Sequence, residues 1–414
     1  MTTASLVTRI ARLAPLLLLL LHFAPLEAAY GQKKKEKLDE DFEDFEEVCP
    51  YTKGELELER KLGYVRVGLI PWRGTSDSSV VRENCGGVPM IFVETEHFRI
   101  GSSLLPYRIP NDKEERARLK EEIGRLADKL GKLKAPKREI DPWLRLHLFA
   151  QRAEEQYQQF LDDWGVTPET FAKQGANLGF PDKYLLLVCQ RKSEFGRYIK
   201  IYENSDLEYS YRTGWFGEGM ITAGNFEAIA ENWKDEKDMP LDSMFTCMIT
   251  ASIGANFIDG WNGNMFRAPA WLTYGYVHLS QKRFDPRWPV YDGRTNIYGK
   301  DRDKTEWQPR VSNLVKNDFY ASTEKMFEWS KYDDMNQRDH LIAWSRLDYL
   351  LNECEGDSAA FLTAICPTSS GISTEPVETR KARQTKALAE HFGLTPAELD
   401  EAWAKWVKKT YAKK

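Results

Sequence analysis

Residues 245–282, which read FTCMITASIGANFIDGWNGNMFRAPAWLTYGYVHLSQK, constrain the fold more than any other stretch of the chain. Apolar or small residues recur in the first half at the spacing of one helix face. They are Phe245, Met248, Ile249, Ser252, Ile253, Asn256 and Phe257. Gly260 predicts a left-handed helix end, and Pro269 predicts the start of a second helix in which Gly275 lets a neighbour approach closely. The stretch therefore predicts two central helices joined by a Gly/Asn loop near 262–264.

The second of these helices begins with the sequence PAWLTYG at 269–275. This motif, preceded by a helix and a short loop, resembles the gluzincin metallopeptidases of the bacterial secreted, peptidase-MA-like kind. In that family the first helix carries H-E-x-x-H and the second W-L-x-E-G. The two histidines and the second-helix glutamate hold zinc, and the first-helix glutamate is the general base. The stretches ETEHFRI at 94–100 and ALAEHFGLTPAELDEAWAKWV at 387–407 are similar to the opening strand and the helical tail of the same group.

The resemblance implies a zinc site at four positions, and the residues at those positions lack the chemistry. Thr250 and Gly254 stand at the two histidine positions, Ala251 at the base position and Tyr274 at the third-ligand position. A shift of the first helix by a residue or two stays open. No His, Asp or Glu lies between positions 245 and 258, so no neighbouring register restores the ligands. The resemblance therefore implies a pseudo-peptidase without metal or cofactor.

The N-terminus predicts export from the cytoplasm. Arg9 and Arg12 precede an apolar run at 13–24, and a cleavage region with small residues follows at 26–29. This arrangement is typical of a secretory signal peptide, which we expect to be cleaved after Ala28 or Ala29. About a dozen apolar residues are short of the roughly 20 that a membrane span needs, although an uncleaved anchor is the alternative. We expect a periplasmic, cell-surface or extracellular protein with no stable membrane span after cleavage. The charge run at 33–47 predicts a solvated lead-in.

Export makes the six cysteines candidates for disulfides, and six cysteines allow fifteen pairings. Cys354 and Cys366 flank a short segment that can fold back, and Cys49 and Cys85 both lie in the N-terminal extension. These are the two possible disulfides that the sequence supports. Cys189 and Cys247 are interpreted as buried small hydrophobic residues.

The order of elements predicts an α+β fold. A strand is expected at 89–100, helices at 114–132 and from Asp141-Pro142 to about 164, an apolar central strand at 184–189, and further strands and turns at 198–202 and 214–224. The two central helices follow, in the order in which a zincin-like domain is assembled, with a mixed sheet. Helices at 333–352 and 359–365, a linker at 367–379 and a capping box at Thr395 predict a C-terminal helical subdomain. The expected boundaries are 1–29, 30–88, 89–330 and 331–414.

Composition and motifs exclude several classes of function and leave three. The net charge of −5 and isoelectric point near 5.9 argue against nucleic-acid binding, and no phosphate loop or nucleophile elbow is present. The first function is a binding or scaffold protein that holds a peptide or protein ligand in the peptidase cleft. The second is a hydrolase without metal, using the i, i+4 pair Tyr274 and His278, Asp259 or carboxylates from 284–308. The third is a structural envelope protein. His97 and His340 are expected to be structural, with His340 on a helix surface.

Overall fold

A computed structural model gives the fold of the chain. It describes residues 48–131, 133–167, 170, 175–215, 218–263, 268–288, 306–366 and 375–411. The predicted signal peptide, the charged lead-in, most of the 284–308 loop and the first part of the 367–379 linker lie outside the described residues.

The described elements include a six-stranded mixed sheet, a separate pair of short strands and fourteen α-helices, which confirms the α+β class. The strands are β1 (Arg66–Val67), β2 (Ile91–Glu94), β3 (Phe98–Ser102), β6 (Tyr184–Cys189), β7 (Ser210–Trp215) and β8 (Gly219–Asn225), with β4 (Tyr107–Arg108) and β5 (Glu139–Ile140) as a separate pair. The helices are α1 (Leu56–Leu62), α2 (Ser78–Asn84), α3 (Lys113–Leu130), α4 (Pro142–Trp164), α5 (Lys192–Glu203), α6 (Phe226–Asn232), α7 (Leu241–Asp259), α8 (Ala270–Phe284), α9 (Trp307–Lys316), α10 (Thr323–Met326), α11 (Gln337–Asn352), α12 (Ser358–Ile365), α13 (Val377–Phe392) and α14 (Pro396–Thr410).

The sheet is built around β6. The strand order is β1-β2-β3-β6-β8-β7, and β6 runs parallel to both β3 and β8. Every residue of its run YLLLVC is buried, as expected for a parallel strand covered on both faces. Leu186 pairs with Ile100 on one side and Thr222 on the other. The strand β7 pairs antiparallel with β8 and forms one edge of the sheet.

Two sequence predictions for strands were wrong. The stretch 89–100 is a hairpin of β2 and β3, because Thr95 and Phe98 bond to each other and turn the chain at 95–98. The stretch 198–202 belongs to helix α5, whose buried Tyr198 and Ile199 fill a helix face. Aromatic and β-branched residues favour strands locally, and here burial of the helix face outweighs that preference. Within the stretch 64–70, the strand is limited to the two residues of β1.

Helix α4 follows its sequence signals. The Asp141 carboxylate accepts a hydrogen bond from the Leu144 N–H at 3.0 Å, Pro142 occupies the first turn, and Gly165 ends the helix at φ 63°. The helix lies in the connection between the parallel strands β3 and β6 and packs on β3 and α7.

Helix α7 is a core helix, since Leu241 and Ser252 are its only residues that are not buried. Among the described residues it is also the one helix long and apolar enough to cross a membrane, and 89% of that apolar window is buried inside the fold. Gly260 is not left-handed as predicted, since its φ is −93° and the positive φ values fall at Asn262 and Gly263. Glycine is required at 260 because a Cβ there would lie 2.5 Å from the Met220 sulfur.

Helix α8 packs against α7 and α11. The prediction for Gly275 is confirmed, because a Cβ there would lie 3.0 Å from the Ala343 carbonyl oxygen of α11. In the C-terminal helices, the capping box of Thr395 with Glu398 is formed and begins α14 as expected. Helix α11 starts at Gln337, four residues later than predicted, because a 3-10 turn occupies Tyr332–Asp334.

The six cysteines, all of them described, are not bonded to one another, so the structure contains neither Cys49–Cys85 nor Cys354–Cys366. The Cys49 sulfur lies 3.2 Å from His147 Nε2 instead. Cys354 lies beside the Tyr349 hydroxyl, while Cys366 is buried at the end of α12. Both predicted pairings came from proximity along the sequence, and neither bond is formed in the structure.

Candidate functional site

Thr250 and Gly254 of α7, four residues apart, both lie beside Gln156 of α4, whereas Ala251 lies in a separate cluster. The Thr250 carbonyl accepts a hydrogen bond from Gln156 Nε2 of α4 at 2.8 Å. Gly254 faces α8, because a Cβ there would lie 3.1 Å from Ser280 Oγ. Ala251 belongs to a small apolar cluster with Ala255 and Val277, separate from the main core. We call these three residues the alanine patch.

Tyr274 lies on another side of α8. Its ring contacts are with Tyr332 and His340, at centroid distances of 5.3 and 5.4 Å. Six residues separate Tyr274 from Ser280, which places the two about 120° apart around the helix at 100° per residue. The register that assigns Thr250, Gly254 and Tyr274 as ligand positions therefore does not gather them around one point.

A shift of the first helix by one residue, which the sequence left open, changes the assigned positions. It places Ala251, Ser252 and Ala255 at the His, Glu and His positions. Ala251 and Ala255 lie together in the alanine patch, and Ser252 is the half-buried residue in the middle of α7. These side chains also lack a metal donor of the kind that zinc requires.

His278 and His340 form a buried pair across α8 and α11. His278 Nε2 lies 3.1 Å from His340 Nδ1, and His278 Nδ1 lies 3.2 Å from Gln281 Oε1. Gln281 donates from Nε2 to the Cys247 carbonyl, which leaves its Oε1 to accept from His278 Nδ1–H. Burial, and then the charge that His340 can carry, hold the pKa of His278 well below its usual value. His278 is therefore neutral at physiological pH.

The prediction that His340 lies on a helix surface was wrong, since its side chain is almost fully buried. Its charged neighbours in sequence, Arg338 and Asp339, lie at the exposed start of α11, while His340 faces α8. His278 has hydrogen-bond contacts with Gln281 and His340.

Asp259, the carboxylate named for a metal-free hydrolase, fixes the edge strand to the central helices. Its Oδ2 accepts from Arg212 Nη1 of β7 at 2.7 Å, and its Oδ1 accepts from Thr273 Oγ1 of α8 at 2.8 Å. Asp259 is nearly fully buried. Both carboxylate oxygens thus have structural partners.

The outer edge of β7 is defined by the register of the sheet. The Asn225 N–H donates to the Tyr209 carbonyl, so residues 209 and 225 form a hydrogen-bonded pair, and the ladder bonds recur at every second residue of β7. The backbone groups of Ser210, Arg212 and Gly214 therefore point away from β8. Among the described residues no strand pairs with this edge.

A polar cavity of about 460 Å³ opens between α3, α4 and α8, with Thr250 of α7 at its floor. Sequence reasoning missed it. Its lining consists of Ala117, Arg118, Glu121, Glu122, Arg125, Arg152, Glu155, Gln156, Gln159, Thr250, Tyr276, Ser280, Arg283 and Phe284.

The charged residues of this cavity neutralise one another. Arg152 binds both oxygens of Glu122 at 2.9 and 2.7 Å, and Arg125 binds both oxygens of Glu155 at 3.0 and 3.1 Å. Arg118 donates to Asp285 at 3.0 Å. A charged ligand would have to replace an existing ion pair, so the lining suits an uncharged polar molecule.

A buried charge network extends from the cavity to the start of α7. Asp242 accepts from Arg145 at 2.8 Å and from Arg152 at 3.4 Å, and all three side chains are nearly fully buried. Nearby Glu115 is 1% exposed; burial, and then the charge of Asp242, raise its pKa to about 8. The sequence carried a signal for this network, because Glu115 and Glu122, like Arg145 and Arg152, are seven residues apart and share a helix face.

His97 has a structural role in the turn of the β2–β3 hairpin. Its Nδ1 lies 2.7 Å from Glu154 Oε2 of α4, and its ring stacks on Tyr157 at 3.8 Å. The Glu154 carboxylate also accepts from the His97 backbone N–H at 3.0 Å. These contacts hold the hairpin against α4.

Comparison of the chain with protein-family models, with curated proteins and with solved structures finds no match. The resemblance to gluzincin metallopeptidases therefore rests on the residues quoted for it. Within the described ranges, no group of three or more His, Cys, Asp or Glu side chains is arranged to hold a metal ion.

Proposed function

We propose that the protein is an exported pseudo-metallopeptidase that binds an extended segment of a peptide or protein along the edge strand β7. The observation that carries the proposal is the outward direction of the backbone groups of Ser210 and Gly214 on the edge strand, which packs next to the central helix α7. A strand edge of this kind offers main-chain donors and acceptors to an added strand, and side chains on either side supply selectivity.

The anchoring of β7 supports this proposal. The Arg212 side chain is tied to Asp259 at the end of α7, and the Arg73 guanidinium lies 3.6 Å from the centre of the Trp215 ring on the other side of the strand. The middle and the last residue of the six-residue strand are thus held in place before any ligand arrives. A pre-ordered edge lowers the entropic cost of binding.

The residues of α7 argue for binding without metal catalysis. The alanine patch is a buried cluster of methyl groups and Ser252 carries a hydroxyl, and none of these groups is a metal donor of the kind that could activate water. The hydrolase alternative loses support because Asp259 and His278 are engaged in structural hydrogen bonds.

The test uses proline to remove one backbone donor from the edge. The mature protein is screened against an immobilised library of 15-residue peptides, and selected peptides are measured by titration against the wild type, Gly214→Pro and Gly214→Ala. Because the Gly214 N–H points away from β8, proline there removes an edge donor without breaking a ladder bond. We expect Gly214→Pro to weaken binding at least tenfold and Gly214→Ala, which keeps the N–H, to bind like the wild type.

Circular dichroism of both variants establishes that the fold is intact. Equal affinity of a folded Gly214→Pro variant and the wild type would contradict binding at β7, and a library with no binding peptide would contradict the proposed ligand class. Hydrolysis of a bound peptide that persists in excess chelator would favour the metal-free hydrolase instead.

A further inference from the structure

Two cysteines that lie far apart in sequence meet in the core. Cys85 follows the last residue of α2, and Cys189 is the last residue of β6. The two thiols are hydrogen-bond neighbours, and both side chains are fully buried. This contact pairs Cys85 with a different partner from the one that the sequence suggested.

The elements around the two thiols hold them together. Helix α5 begins at Lys192, three residues after Cys189, and packs against both α2 and β6. Arg197 of α5 donates to the Cys85 carbonyl at 3.4 Å. The elements that carry the two cysteines therefore pack on the same helix.

We propose that Cys85 and Cys189 form an intramolecular disulfide when the protein folds in an oxidising compartment. The bond joins the segment before β2 to the central strand of the sheet. The other four cysteines remain thiols. The proposal depends on neither the peptide-binding function nor the pseudo-peptidase resemblance.

The reaction is thiol–disulfide exchange with a small-molecule or protein disulfide as the oxidant. The thiolate of one cysteine attacks the oxidant, forms a mixed disulfide and releases one thiol. The second cysteine, as its thiolate, then attacks the protein sulfur of the mixed disulfide and releases the second thiol. Two protein thiols are oxidised and one disulfide of the oxidant is reduced to two thiols. In the folded chain the contact with Cys85, and then burial, raise the pKa of Cys189, so the exchange must take place before the core closes.

Peptide mapping tests the pairing directly. The reduced, unfolded mature protein is refolded in a mixture of reduced and oxidised glutathione, quenched with acid, unfolded and alkylated, and then digested with trypsin without reduction. Tryptic peptides 83–99 and 184–191 each contain one cysteine, so the linked pair is unambiguous. We expect these two peptides as one disulfide-linked species and the other four cysteines alkylated. Alkylated Cys85 and Cys189, or a link from either to another cysteine, would overturn the proposal.

Stability under reductant gives a second readout. The chain between the two cysteines is on the order of 100 residues long, and closing such a loop should shift the unfolding equilibrium constant by roughly a thousandfold. A phosphine reductant should therefore lower the urea midpoint of the wild type. It should also lower the midpoint of the control Cys247→Ala, which replaces another buried cysteine, but it should leave the midpoint of Cys85→Ala unchanged. If Cys85→Ala fails to fold, the wild-type map and the Cys247→Ala control still decide the question. An unchanged wild-type midpoint after reduction would contradict a stabilising bond.

Discussion

Replacement of Glu115 by glutamine should make the protein more stable at neutral and alkaline pH. The Glu115 side chain is 1% exposed, and its Oε2 accepts one long hydrogen bond from the Tyr107 hydroxyl at 3.4 Å. Its Oε1 has no hydrogen-bond partner among the described residues. Burial, and then repulsion from Asp242, raise its pKa from 4.5 to about 8, while Arg118 acts in the opposite direction. Near neutrality the folded protein therefore holds a proton that the unfolded chain has already released.

The direction and size of the effect follow from that difference. Because the folded pKa is raised, the folded state is favoured at and below the unfolded pKa of 4.5, and this stability is lost as the pH rises through about 8. Each pKa unit corresponds to about 1.4 kcal/mol, so the loss between pH 5 and pH 8 is on the order of 3 kcal/mol. Glutamine has nearly the same shape and no charge, so Glu115→Gln should remove most of this loss.

Urea unfolding, followed by tryptophan fluorescence at pH 5, 6, 7 and 8, measures the effect. The free energies of the variant and the wild type should nearly agree at pH 5 and separate progressively towards pH 8. Glu121→Gln is the matched control, because Glu121 lies on the same helix and its side chain is 77% exposed. Parallel pH curves for Glu115→Gln and the wild type would refute the argument that Glu115 is protonated in the folded state.

Four further predictions follow from the same structure. Asp242→Ala leaves two buried arginines without their shared carboxylate and should cost about 3–5 kcal/mol in urea unfolding; a loss below 1 kcal/mol would mean that the network is solvated. Gly275→Ala should destabilise the protein by about 1–3 kcal/mol, because the added Cβ would press on the Ala343 carbonyl. Its control Gly196→Ala, at a helix position with open space, should stabilise the protein by about 0.5–1 kcal/mol. Equal effects of the two substitutions would argue against close approach of α8 and α11. The pKa of buried His278 is lowered, so the folded state favours its neutral form, and the free energy of unfolding should fall as the pH drops below about 6.5. This fall should be smaller in a folded His278→Asn variant. An identical fall in the variant and the wild type would exclude His278 as its cause. The protein as isolated should carry no stoichiometric zinc, and one zinc per chain by atomic emission would overturn the pseudo-peptidase hypothesis.

The amino-acid sequence alone determined the elements whose signals are local. Asp141 and Pro142 set the start of α4, and the capping box at Thr395 set the start of α14, because a cap depends on side chains within a few residues of each other. The run at 184–189 specified a central strand, since a strand that is apolar on both faces must be covered on both. The lack of His, Asp and Glu at 246–257 likewise needs no structure to establish.

The tertiary structure alone decided which distant residues meet. The sequence placed His340 on a surface and paired Cys85 with Cys49, whereas packing buries His340 against His278 and brings Cys85 to Cys189. The ligand register on α7 is a further example: a change of one residue turns a side chain by 100°, and only the positions of α4 and α8 show which side of α7 faces which neighbour. Hydrophobic burial is not directional, so many arrangements satisfy the same pattern, and the choice among them is made by the fit of all the elements at once.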